Sequence, residues 1–179
     1  MSTPSRVFVG RLTSLSVFDP LGDQVGRVRD VVVTFGASRR RPRVNGLVVE
    51  VPGRRRVFVP MTRVTSVDGG QVITTGLVNM RRFEQRTNEV LVMAELLDRQ
   101  VTVRDPEGDY TATVEDIAIE RERTRDWGIA KVFVRRGAPR SHLGPFRRRR
   151  GATVLVPIED VTGIHRSGSA QSAAKLLET

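Results

Sequence analysis

"VFDPLGDQVGRVRDVVV" occupies residues 17–33 and "VTVRDPEGDYTATVEDIAI" occupies residues 101–119. Asp19 and Asp105 stand 86 positions apart, and the same offset carries Pro20 onto Pro106, Gly22 onto Gly108, Asp23 onto Asp109, Val28 onto Val114 and Asp30 onto Asp116. Matches this dense at one offset mark an internal repeat. In each copy the first segment is hairpin chemistry: Pro holds φ near about −65°, Gly supplies positive φ, and the flanking Asp side chains cap turn amides. The strand that follows slips in phase. Val28 belongs to one face by the period of two, Val31 and Val33 to the other, and Val114, Ile117 and Ile119 repeat the slip, which is the signature of a β-bulge. Asp30 and Asp116 sit at the slip, where a short carboxylate can accept backbone N–H groups that the ladder leaves free. Asp19, Gly22, Asp30, Asp105, Gly108 and Asp116 are therefore read as structural turn and bulge residues, in preference to catalytic or metal-binding ones.

The repeat extends further. "VNGLVVEV" (44–51) aligns with "WGIAKVFV" (127–134), and "VFVPMTRVTSV" (57–67) with "VLVPIEDVTGI" (154–164). Short alternating apolar segments between Gly, Pro and Asp turns predict an all-β fold of two small antiparallel barrels in tandem. The division is residues 1–76 for the first barrel, 77–89 for a linker, 90–166 for a second, divergent barrel with a long basic loop, and 167–179 for a linker or the start of a helical domain. Within the linker "LVNMRRFEQR" carries a weak signal for a short helix. The second copy has no counterpart of "GGQVITTG", so one sheet edge calls for a partner strand unless another part of the chain, such as Val7 to Val9, covers it.

Composition narrows the function. The chain has 179 residues, no cysteine and two histidines, which removes disulfides, thiolate zinc and cysteine nucleophiles. No apolar run approaches the ~18 residues of a membrane span, and the N-terminus lacks the organisation of a secretory signal, so a cytoplasmic protein is expected. There is no Gly-x-Ser-x-Gly elbow or phosphate loop, and neither His142 nor His165 has a nucleophile beside it. No enzyme activity and no cofactor are expected. Asp105, Glu107 and Asp109, with Glu115, form the one acidic grouping that a hard cation could use. The first copy breaks that set by placing Leu21 opposite Glu107, and the hairpin reading is preferred.

The net charge of +10 calls for an acidic partner. Arginine runs fall at "SRRRPR" (38–43), "RRR" (54–56) and "RRRR" (147–150). In the second copy the loop "RRGAPRSHLGPFRRRRG" (135–151) sets one apolar anchor, Phe146, beside Arg147, Arg148, Arg149 and Arg150. These five are the expected partner-binding residues, facing an acidic surface on a protein or on a missing part of the chain. RNA or ribosome binding is the alternative. Against it, aromatics are few, and several (Phe58, Phe133) fall at strand positions that read as core, so no stacking platform is evident.

Gly-x-x-x-Gly-x-Val-x-Asp across Gly22 to Asp30, Gly46 before an apolar strand, and Val59-Pro60 ahead of the next corner resemble the PRC-barrel family. That family is named for a domain of the photosynthetic reaction centre H subunit. The second copy departs from the pattern with Ala112 in place of the second Gly and the long insertion before Val156-Pro157. "VFVGRL", "VPGRRRVFVPMTRVTS" and "QVITTG" followed by "NMRRFEQR" further resemble bacterial proteins in which tandem PRC-barrels precede a helical domain similar to the N-terminal domain of MgtE-type magnesium transporters. "AAKLLET" is where such a domain would begin. The resemblance implies a non-enzymatic cytosolic regulatory module and supplies no magnesium site within these residues.

Overall fold

Asp19 and Asp105 each start a tight turn. The Asp19 carboxylate accepts from the amides of Leu21 and Asp23 at 3.0 and 2.9 Å, and that of Asp105 accepts from Glu107 at 2.9 Å. The amides of Gly22 and Gly108 close the turns onto the Asp19 and Asp105 carbonyls, with φ of 88° and 125° at the two glycines, a region that L side chains rarely adopt. Each turn feeds a long strand. The computed structural model describes residues 6–36, 41–68, 70–76, 81–137 and 151–165.

The first half contains β1 (Arg6–Phe8), a helical turn α1 (Val9–Leu12), β2 (Ser16–Phe18), β3 (Gln24–Thr34), β4 (Arg43–Val51), β5 (Arg55–Pro60), β6 (Val64–Asp68) and β7 (Gln71–Thr74). The second half contains β8 (Glu89–Leu91), a π-helical turn (Val92–Leu96), β9 (Gln100–Val103), β10 (Tyr110–Arg121), β11 (Trp127–Arg136), β12 (Thr153–Pro157) and β13 (Val161–Thr162). Register shifts fall between Val28 and Asp30 in β3 and between Val114 and Asp116 in β10. The bulge resets the alternation, so Val28 shares the core with Val31 and Val33, and Val114 with Ile117 and Ile119.

The halves lend each other their leading strands. β1 pairs with β10, matching Arg6, Val7 and Phe8 to Glu120, Ile119 and Ala118, while β8 pairs with β3, matching Glu89, Val90 and Leu91 to Thr34, Val33 and Val32. The exchange is reciprocal residue by residue. β4 and β11 also meet, antiparallel, at Arg43 and Gly128. These two residues pair with the equivalent positions Thr34 and Glu120, so equivalent residues face each other, as a local two-fold relation requires. The strands accordingly form one 13-stranded sheet whose main path runs open from β13 to β6, where the repeat predicted two small barrels in tandem.

Three further expectations are corrected. Val44 and Ile129 face the equivalent residues Val33 and Ile119, so β11 aligns with β4 two residues later than the apolar pattern indicated. A slip of two keeps every side chain on its own face, and periodicity cannot detect it. The missing counterpart of "GGQVITTG" leaves no gap beside β9. In the first half β7 lies between β2 and β6, whereas in the second β13 pairs directly with β9, and β1 covers the adjoining part of β10. Between the halves, residues 81–88 carry no helix; Arg82 bridges to Val57 along the outer edge of β5. The helical start expected in 167–179 lies outside the described residues.

The bulge carboxylates fasten the exchange. Asp30, 6% exposed, accepts from Met93 and Ala94 at 2.8 and 3.1 Å and from its own neighbour Val31 at 2.7 Å. Asp116 accepts from Gly10 at 2.9 Å and from Ile117 at 2.7 Å. Neither α1 nor the π-helical turn has a local side-chain cap; one amide of α1 and two of the π-helical turn are satisfied from the opposite half. Asp30→Ala leaves three amides without that acceptor and should cost about 2 kcal/mol or more. Because two of the three lost contacts join the halves, the urea transition followed by Trp127, which lies in the second half, should shift together with the far-UV circular dichroism transition. A Trp127 transition that stays in place would show independent halves.

Candidate functional site

The turn and bulge residues singled out in the sequence lie within the scaffold just described. Glu107 and Asp109 are exposed and the Asp105 carboxylate is occupied by a turn amide. Among the described residues no group of three or more His, Asp or Glu side chains is placed to hold a metal ion. The basic loop that carries Phe146, Arg147, Arg148, Arg149 and Arg150 lies outside the described residues.

A concave site appears instead where the halves meet, and no sequence motif announced it. The cleft, of about 320 Å³, is lined by Arg43, Val44 and Asn45 of β4, by Phe58, Met61 and Thr62 at the end of β5, by Arg81, Arg86, Asn88 and Glu89 leading into β8, and by Arg125, Asp126 and Trp127 of the β10–β11 turn. That volume falls in the range of small-ligand and peptide side-chain pockets. Its floor is apolar: Met61 and Trp127 are buried, and Val44 packs in the core.

Phe58 was expected in the core. In β5 the alternation buries Val57 and Val59 instead, leaving Phe58 half-buried on the other face, and in β11 Val132 and Val134 are buried while Phe133 is not. Phe58 thereby becomes part of the cleft, with Phe83 stacked beside it at 6.4 Å between centroids and the Arg81 guanidinium 5.7 Å above its ring.

Four arginines and two carboxylates ring this floor. Arg43 meets Asp126 at 3.1 Å across the junction, and Arg86 lies 3.9 Å from Glu89. Arg81 and Arg125 have no acidic partner among the described residues. Arg125 occupies the left-handed region, φ 69°, in a turn closed by its amide onto the Glu122 carbonyl at 2.9 Å and by the Glu122 amide onto the Asp126 carbonyl at 2.7 Å.

Behind the cleft, the element that carries Glu89 continues into a second group of titrating side chains. Burial pushes the Asp30 carboxyl above its ordinary value of 3.8, against the amides of Met93, Val31 and Ala94, which favour the anion; nearby Glu95 adds to the upward push. His165 stacks on Phe35 at 4.6 Å, and burial together with Arg99 lowers its pKa against the opposing influence of Glu95. The folded protein holds the Asp30 proton more tightly than the unfolded chain does. The resulting stability is fully present below 3.8 and is lost as pH rises through the raised folded value. Urea midpoints of the parent and of Asp30→Asn, compared from about pH 3.5 to about pH 6, should therefore diverge in favour of Asn as pH rises. A trend of opposite sign would mean that the amide donors outweigh burial.

Family comparison separates the two copies. No curated protein matches the chain at a significant level. Residues 5–77 match the PRC-barrel domain, and residues 90–167 match the Actinomycetes SH3 domain, so the repeat is covered by two different domain families.

Proposed function

We propose that this chain is a non-enzymatic, cytosolic protein-interaction module whose partner surface is acidic. The observation that carries the reading is the cleft between the halves, where four arginines face two carboxylates over an apolar floor. Both matched domains suit such a role. The bulge carboxylates serve architecture: buried Asp30 and half-buried Asp116 are spent on backbone amides. No helix among the described residues is long and apolar enough to cross a membrane. Placement ahead of a magnesium-transporter-like helical domain rests on the sequence phrases alone, and neither domain match adds to it.

The alternative of RNA binding rests on the arginine runs, of which the longest, 147–150, lies outside the described residues. Arg41 is held by Glu159 at 3.0 Å and Arg43 by Asp126 at 3.1 Å, so two arginines of the first run serve the junction. Arg54 to Arg56 lie at the β4–β5 hairpin. A phosphate track needs cations along one continuous face, and in the cleft Glu89 and Asp126 lie among the arginines.

The immobilised chain, offered cell lysate with and without ribonuclease at low and high salt, should retain one dominant protein that survives ribonuclease and is released as salt rises. An eluate dominated by RNA, or retention abolished by ribonuclease, would replace this reading with the nucleic-acid one.

A further inference from the structure

The cleft has a counterpart on the other side of the local two-fold relation, and the two differ in charge. The strand pairings place Glu120 at the position of Thr34, Glu159 at that of Thr62, Arg6 at that of Glu89 and Arg41 at that of Asp126. In the counterpart Arg41 donates to Glu159 at 3.0 Å and lies 3.7 Å from Glu120, which Arg6 meets at 2.7 Å. Among the described residues two cations there face two carboxylates, so these four side chains neutralise one another.

The cleft lacks that balance. Among the described residues Arg43, Arg81, Arg86 and Arg125 face Glu89 and Asp126, and Thr62 stands where the counterpart places a carboxylate. We propose that the cleft binds an acidic, extended segment of a protein partner, with one apolar side chain on Phe58, Met61 and Trp127 and flanking carboxylates on Arg81 and Arg125. The counterpart shows the neutralised arrangement that such a segment would recreate. This inference rests on the interaction-module reading and names the chemistry of its partner.

Two features select a peptide over a nucleic acid. Glu89 and Asp126 interrupt the positive surface that a phosphate backbone would track, whereas Asn88 and Thr62 offer hydrogen-bonding groups suited to a peptide main chain. The apolar floor suits an aliphatic side chain.

Trp127 is the only tryptophan and lines the cleft, so its emission reports occupancy directly. The probe is an acetylated, amidated hexapeptide alternating acidic residues with leucine, titrated into the whole chain beside its Asn/Gln analogue and a uridine oligonucleotide. The acidic peptide should change the emission saturably and the amide analogue should not. Arg81→Gln combined with Arg125→Gln should weaken binding on the order of ten-fold or more. Thr62→Glu, which supplies from within the carboxylate that Glu159 gives the counterpart, should weaken it too, with the urea midpoint held or raised to show that the fold is intact. An equal response to the amide analogue, undiminished affinity in the double arginine variant, or an oligonucleotide that binds in its place with the same arginine dependence would overturn the proposal. If the titration fails while the immobilised chain still retains its protein, the interaction module stands and this cleft is not its site.

Discussion

Two carboxylates, Asp30 and Asp116, hold the molecule together by accepting the free amides of a helical turn that belongs to the other half. A buried carboxylate is unfavourable unless its charge is met by donors. Here the donors can be supplied only when the leading segment of the opposite half is in place. Strand exchange and carboxylate satisfaction are thus one event. A segment that failed to dock would leave an unpaired charge on one side, free helix-turn amides on the other, and an uncovered stretch of β3 or β10.

The exchange also accounts for where a binding site can form. Because β8 must reach β3, the linker from residue 81 runs along β5 and sets Arg81 over Phe58 before Glu89 enters the sheet. Because Arg43 and Gly128 face each other, the β10–β11 turn brings Arg125 and Trp127 against the first half. The four groups that line the cleft, residues 43–45, 58–62, 81–89 and 125–127, come from separate stretches of the sequence.

Equivalent positions have then diverged within a common frame. The first half keeps the additional β7 strand between β2 and β6, while the second closes β13 directly onto β9. On one side of the junction the charges are paired internally through Glu120 and Glu159, and on the other two arginines remain without acidic partners among the described residues. Among the described residues, a frame repeated twice supports one neutralised group of charges and one with an excess of arginine.

The sequence by itself determined what local chemistry and periodicity can encode. The turns at Asp19 and Asp105, the bulges that bring Val28 into phase with Val31 and Val114 into phase with Ile117, the all-β class and the twofold repeat are short-range consequences of Pro, Gly, Asp and alternation. The two-residue register of β11 against β4 was not legible, because a slip of two leaves the apolar faces unchanged. Nor was the partner of Asp30: its sequence showed a carboxylate near free amides, but that Met93 and Ala94 supply two of them depends on a segment 63 and 64 residues away. The cleft was hidden for the same reason. Its four arginines come from three separate segments, and only strand exchange, a long-range choice of which edge pairs with which segment, sets them around Phe58 and Trp127.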